Sequence, residues 1–471
     1  MGANDHTNST RKTRKVFRIF SRLLLWFFAI VGFVTIAVII AMALFMPCEK
    51  ANPATVEYIR SSAAEGKIAY KLTVPEDMKK MLGLSTRETI TNDGGMQRLF
   101  LNWPGINATF TRMRDYSTPL TLIYMKVNGK TIDIGQDKPV VLKYENDLKK
   151  FDPFWGFAGV SLEKLDLRDY AELLSEMSFD SQTRWPDSDK LPENFNPSRI
   201  LEEGKNPGLG IRSLHRQGID GRGIGLAILD QPLLKDHIEY KDQLVLYEKK
   251  HLLDTTPAMH GVPLVSIAVG KNCGVAPKAS LYYYAMRMTA MPDNKIYCDI
   301  IDNIIKRNKE ASASEKIKVI SISTGTFRQQ KNYELWKETI KKAEQNGILV
   351  VTCNGQWLRY GTLQLIPGKE PDNPSSYKRG KYGGPGNVLL VPSGNKTTAS
   401  HLGPEIYTYD TDGGMSQAAP YLAGLAVLAY QVNPNIEPQK IVELWISTAV
   451  HTDAGPIVNP ADFIDAVRKL K

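Results

Sequence analysis

Along the second half of the chain, short apolar runs alternate with longer stretches of helical spacing. The runs fall at 224–229, 281–285, 319–322, 348–352 and 388–391. Each is too short for a helix and apolar almost throughout, Ser321 and Thr352 excepted, the pattern of a strand covered on both faces. Between them, 300–310 and 333–346 carry apolar residues at three- and four-residue intervals, which predicts amphipathic helices. Gly347 follows the second in the position where a left-handed residue ends a helix. This alternation predicts a doubly wound α/β domain with a mainly parallel sheet over about 200–471.

The first half reads differently. Residues 121–127 have high strand propensity, Asn128-Gly129 is a hairpin turn, and 131–134 continues as a second strand. Helical spacing is expected over 162–177. A small α+β region is therefore predicted within 48–195, as an accessory domain or a propeptide. The Pro-, Asp- and Asn-rich stretch 185–197 is expected to be its linker to the larger domain.

Residues 23–46 are apolar or uncharged throughout. At about 1.5 Å per residue they span roughly 36 Å as a helix, enough to cross a hydrocarbon core of ~30 Å. Six basic residues and one acid precede them, which is +5 of the chain's +9. A cleavable signal peptide has a shorter core and a small-residue cleavage site, whereas this run ends in Phe45-Met46-Pro47. The expectation is a retained signal anchor, with 1–22 cytoplasmic and everything beyond the span outside. Because the remaining charge is nearly balanced, no basic nucleic-acid face is expected. Cys48 beside the span is open to palmitoylation or stays a plain thiol. Four cysteines make no disulfide framework and match no metal spacing. Asn107 and Asn395 stand in glycosylation-type triplets.

Candidate chemistry sits at the ends of these elements. Asp230 closes the first apolar run. His260 opens His260-Gly261-Val262-Pro263-Leu264, and Ser416 lies in Gly414-Met415-Ser416-Gln417-Ala418-Ala419-Pro420. The order Asp, His, Ser is one of the few that builds a Ser-His-Asp triad. An α/β-hydrolase has the nucleophile first and the histidine last, so that reading is set aside. Taken singly, Ser416 is a helix N-cap, His260 an ordinary histidine and Asp230 a turn cap.

Together these segments resemble the active-site blocks of subtilisin-like serine peptidases. Met415 replaces a threonine of the serine block, and Leu264 a valine of the histidine block. Gly274-Val275-Ala276-Pro277 is similar to the turn that follows the histidine helix, and His237 to a second, non-catalytic histidine. The resemblance covers about 200–471. It implies a serine endopeptidase with Ser416 as nucleophile, His260 as general base and Asp230 as its orienting partner. It also implies that Ser323, Thr324 and Gly325 pair with an extended peptide substrate. The oxyanion donor departs from the family's asparagine: ungapped counting from Gly347 puts Gln356 there, with Asn354 as the alternative if the loop is shorter. No cofactor is required, and the structural calcium common in this family has no ligand spacing that places it. The alternative is a catalytically silent relative that binds peptides or partners at the membrane surface, for which Met415, Pro263 and Gln356 speak.

Overall fold

A computed structural model describes residues 156–470 apart from 251–256, 287–292 and 355–357, together with Leu142, Glu145, Leu148 and seven strands between 55 and 136. The expected signal anchor at 23–46, Cys48 and Gln356 lie outside the described residues. Among the described residues no helix is long and apolar enough to cross a membrane.

β1 (Thr55–Ile59) and β2 (Ala69–Thr73) form an antiparallel pair. β3 (Thr89–Asp93), β4 (Met96–Trp103), β5 (Ile106–Met113), β6 (Leu122–Val127) and β7 (Lys130–Gln136) form an antiparallel meander. β6 and β7 pair antiparallel with Val127 opposite Lys130, the register that the expected hairpin calls for; Asn128 and Gly129 themselves lie outside the described residues.

The helix expected over 162–177 is confined to α1 (Ala171–Glu176). Leu162, Leu165, Leu167, Leu174 and Met177 are all buried in one cluster, so the apolar spacing did report a core. Their backbone bonds run elsewhere, however: Leu162 N–H donates to Arg184 and Leu167 N–H to Lys190, both at 2.7 Å. β8 (Phe179–Asp180) follows. The stretch 185–197 is not a free linker either. Trp185 stands edge-on to Phe179 at 5.2 Å between centroids, and Phe195 packs against it at the same distance. Turn residues dominate this stretch and many stay exposed, but Trp185 and Phe195 pin it against Phe179.

α2 (Pro197–Glu203) and α3 (Ile211–Arg216) lead into the larger body. There β9 (Gly225–Asp230), β10 (Leu244–Lys250), the helix α4 (Gly261–Val269), β11 (Ser280–Met286), α5 (Lys295–Glu310), β12 (Ile317–Ile322), α6 (Tyr333–Gln345) and β13 (Leu349–Thr352) alternate. The five strands form a parallel sheet in the order β10-β11-β9-β12-β13. Alternate side chains enter opposite layers: Leu226, Ile228, Val319 and Val351 join one core, and Ala227, Leu229, Ile320 and Ile322 the other. That two-sided burial is why the sequence shows near-continuous apolar runs. Gly347 ends α6 with φ of 68°, as expected.

The run at 388–391 belongs to a second, mixed sheet. β14 (Tyr360–Leu365), β15 (Tyr377–Arg379) and β16 (Leu389–Gly394) contribute to it. β17 (Lys396–Ala399) and β18 (Tyr407–Asp410) pair antiparallel, and β8 adds to β18. α7 (Met415–Val432) crosses the core and is buried along almost its whole length. α8 (Pro438–Ser447), β19 (Val450–Thr452), β20 (Gly455–Ile457) and α9 (Pro460–Arg468) close the chain, with β20 and β19 completing the second sheet.

Candidate active site

Asp230 and His260 meet at the C-terminal end of the parallel sheet. Asp230 is the last residue of β9 and wholly buried. Its Oδ1 lies 2.8 Å from His260 Nδ1 and also accepts the backbone N–H of Gln231 at 2.7 Å. His260 stands at the N-cap of α4, and its side chain keeps 27% exposure. Burial alone would lower its proton affinity, but the adjacent Asp230 carboxylate outweighs that and raises it.

Gly261 is required by packing. A Cβ there would lie 2.2 Å from the Tyr283 hydroxyl and 2.8 Å from the Gln231 carbonyl oxygen. Tyr283, on β11, donates its hydroxyl to that same carbonyl. The glycine thus lets α4 settle onto β11 and presents His260 to the end of β9.

Ser416 occupies the second position of α7. Its backbone N–H is among the first four of the helix, which have no intrahelical acceptor. Gly413 makes the approach to it tight: a Cβ would lie 1.6 Å from the Ser393 carbonyl oxygen. Pro420 lacks the N–H that would bond the carbonyl of Ser416 one turn back. Ser323 Oγ supplies that bond instead, donating to Ser416 O at 2.9 Å. In return Ser416 Oγ donates to Ser323 O at 3.2 Å. The nucleophile candidate and the residue just beyond β12 therefore clasp each other. Pro420 is the sequence signal for this clasp, which motif matching alone passes over.

In this rotamer the Ser416 hydroxyl faces Ser323, and no bond to His260 is made. Cys353 Sγ also lies within hydrogen-bonding reach of Ser416, and burial pushes its thiol up to about 12. Motif reading gave no signal for Cys353. The three described cysteines, Cys273, Cys298 and Cys353, are free thiols.

Ser323, Thr324 and Gly325 run on from β12. The Thr324 carbonyl accepts the Cys353 N–H at 3.0 Å, and a Cβ on Gly325 would lie 2.9 Å from the ring of Phe327. Asn354, the alternative oxyanion donor, is engaged elsewhere. Its Nδ2 donates to Thr326 O at 2.6 Å and its Oδ1 accepts Thr326 N–H at 2.9 Å. It clamps the end of the Ser323–Gly325 segment.

His237 has both ring nitrogens occupied, by Ile406 O at 3.0 Å and Glu239 N–H at 3.2 Å. Asn395 is buried, and its Nδ2 donates to Leu365 O at 2.6 Å, so its triplet offers no exposed glycan acceptor. Among the described residues no group of three or more His, Cys, Asp or Glu could hold a metal ion.

Known proteins match part of the chain. The subtilisin-like protease PopC of Myxococcus xanthus is 22% identical over 301 residues, covering 55% of this chain and 62% of PopC. The chain therefore spans less than two thirds of that relative. Among solved structures, the A-subunit of the AB5 toxin from E. coli aligns at 15% identity and a TM-score of 0.45, covering 56% of this chain and 98% of that one. The prenylagaramide maturation protease PagA aligns at 16% and 0.42, covering 55% and 98%. The family profile described as Subtilase family (Peptidase_S8) matches residues 221–462, just over half of the chain and the path from β9 to the start of α9. By that match the chain belongs to the subtilase family, a family of serine-type peptidases.

Proposed function

We propose that this protein is a serine endopeptidase acting outside the cytoplasm, tethered to a membrane by residues 23–46. The observation that carries the reading is the 2.8 Å contact between His260 Nδ1 and the buried carboxylate of Asp230, at the end of the sheet in which Ser323, just beyond β12, clasps Ser416. Such a partner fixes the imidazole tautomer and favours its cation, leaving Nε2 to act as base.

In the proposed reaction the Ser416 hydroxyl turns from Ser323 O to His260 Nε2. His260 takes the proton as Oγ attacks the scissile carbonyl, then delivers it to the leaving amine. Asp230 stabilises the imidazolium between these steps. The oxyanion faces the Ser416 N–H at the positive end of α7, with Gln356 as second donor. Water repeats the sequence on the acyl-enzyme. The substrate backbone adds as a strand along Ser323, Thr324 and Gly325. The reaction requires no cofactor.

Labelling with a fluorophosphonate probe tests the chemistry. Labelling of the wild type, lost in Ser416→Ala and His260→Ala, supports it. Absence of labelling in folded wild type would leave the catalytically silent peptide-binding relative, a reading favoured by the Ser416 Oγ bond to Ser323 O. For the tether, full-length protein should stay in the membrane after alkaline extraction, with residues beyond 48 digested by protease added outside intact cells. Release by the extraction overturns that part.

A further inference from the structure

The start of α7 is also held from β18. Asp410 ends that strand, and four residues later Gly414 caps α7. The backbone between them is pinned by its neighbours. Thr411 O accepts Gln364 Nε2 at 2.7 Å, Thr411 N–H donates to Ser178 Oγ at 3.1 Å, and Gly413 O accepts Ser393 Oγ at 3.0 Å. One side-chain link then joins this fixed turn to the helix. Gln417, the residue after Ser416, donates from Nε2 to Asp410 Oδ2 at 3.1 Å. Thr398 Oγ1, on β17, donates to the same oxygen at 3.2 Å.

We propose that Asp410 in its ionised form is a positioning residue for Ser416, acting through the Gln417 amide. The inference rests on Ser416 being the nucleophile. Two donors converge on one oxygen, which suits an acceptor-only carboxylate. The opposite end of the amide, Gln417 Oε1, is buried with no partner and leans on Gly413, where a Cβ would come within 2.8 Å of it. A protonated Asp410 still offers Oδ2 as an acceptor, but the bond to the Gln417 amide loses its charge and about half its strength. Protonation therefore loosens the helix start from the turn.

Asp410 retains some exposed surface, yet its carboxylate is desolvated, and this pushes it up to about 6. The charged groups on elements packed against β18 do not bond to it. Lys396 stands opposite it on β17 but lies over the Tyr421 ring at 5.3 Å. Asp180 lies on β8 and is bonded by Gly159 and Thr183. In the turn, Asp412 pairs with Lys381 at 3.6 Å. On α2, Arg199 pairs with Glu203, and Glu202 with Lys205 just beyond the helix. A carboxylate with only neutral partners costs stability. Its folded-state affinity exceeds the ordinary value of about 3.9, so stability falls as pH rises from about 4 to about 6 and stays lower above.

The test uses the full-length protein in detergent micelles and the second-order rate of fluorophosphonate labelling between pH 5 and 9. Variants are Asp410→Asn, Asp410→Ala and Gln417→Ala. Below pH 6 the logarithm of the wild-type rate should rise with a slope above one, from His260 and Asp410 together. Asp410→Asn should reduce the slope to one and raise the thermal midpoint at pH 7.5. Gln417→Ala should slow labelling about ten- to a hundredfold, as for other small misplacements, with no further loss in the double variant Asp410→Asn/Gln417→Ala. Should Asp410→Ala not fold, Gln417→Ala carries the test, because it leaves the carboxylate in place. An unlabelled wild type defeats the peptidase reading and this inference with it. A labelled wild type whose pH profile and rate are unchanged in Asp410→Asn and Gln417→Ala defeats this inference alone.

Discussion

His237 and His260 are both shielded from solvent but are shifted in opposite directions. His260 is raised because the Asp230 carboxylate overcomes its burial, whereas burial lowers His237, whose nitrogens bond only a carbonyl and a backbone N–H and whose nearby carboxylates, Glu239 first, do not outweigh it. His237 has both nitrogens spent and its ring stacked on Tyr240 at 5.4 Å. His260 has one nitrogen fixed by a charge and, among the described residues, no bond on the other. Burial therefore does not make a base. An opposing charge on one nitrogen and an open second nitrogen do.

The strongest way to break the contrast is to remove the reacting groups. Ser416→Ala and His260→Ala should each lower kcat about a millionfold with the fold intact, checked by hydrolysis of labelled casein alongside circular dichroism. The matching change His237→Gln should leave kcat within a few-fold; a comparable collapse there would erase the distinction between the two histidines.

Asp230→Asn comes next. It should cost about 10⁴ in kcat. It also sharpens the comparison, because burial then acts on His260 unopposed, as it does on His237. In the wild type, kcat/KM should fall as pH drops through a value above the ordinary histidine value of about 6.5. In Asp230→Asn the residual activity should persist to lower pH.

A smaller effect concerns the clasp. Ser323→Ala leaves the Ser416 carbonyl without a donor beneath Pro420, and should cost about 1–3 kcal/mol, read by urea denaturation. An unchanged midpoint would mean that another group satisfies that carbonyl.

The smallest effect is on stability against pH. His260, raised in the fold, contributes stability that is full below about 6.5 and is lost as pH rises through its folded value. His237, lowered in the fold, contributes stability that is full above about 6.5 and is lost as pH falls through its folded value. Thermal midpoints should therefore decline less on the acid side in His237→Gln and less on the alkaline side in His260→Ala. Parallel curves for the two variants would refute the assignment of opposite shifts.

Four of the parallel strands were legible because each is buried on both faces, which leaves near-continuous apolar runs, whereas the edge strand β10 is half-exposed and carries charge. Asp230 and His260 were legible from their positions at the end of one such run and the start of a helix. The second sheet was not separable, since 388–391 carries the same apolar signature whichever sheet it joins. The 162–177 segment misled because burial, rather than helical hydrogen bonding, set its spacing. Asn354 looked available as a donor, but only the fold brings Thr326 against it. Asp410 and Gln417 gave no signal, because their contact crosses a turn whose shape depends on Ser393, a residue of another strand.

The short pairing of β8 with β18 bears on how the protein can be matured. Thr408 and Tyr409 are opposite Asp180 and Phe179, and the chain runs from there to Ser416 within a few residues. Removing everything up to residue 180 would strip β18 of an edge partner, and Trp185 of the Phe179 ring. Phe157 and Gly159 are bonded to this same corner through Ser178 and Asp180. Any leader that is cut away and still leaves this corner intact must end upstream of Phe157, so a scissile bond within 157–180 marks destruction of the enzyme, not its activation.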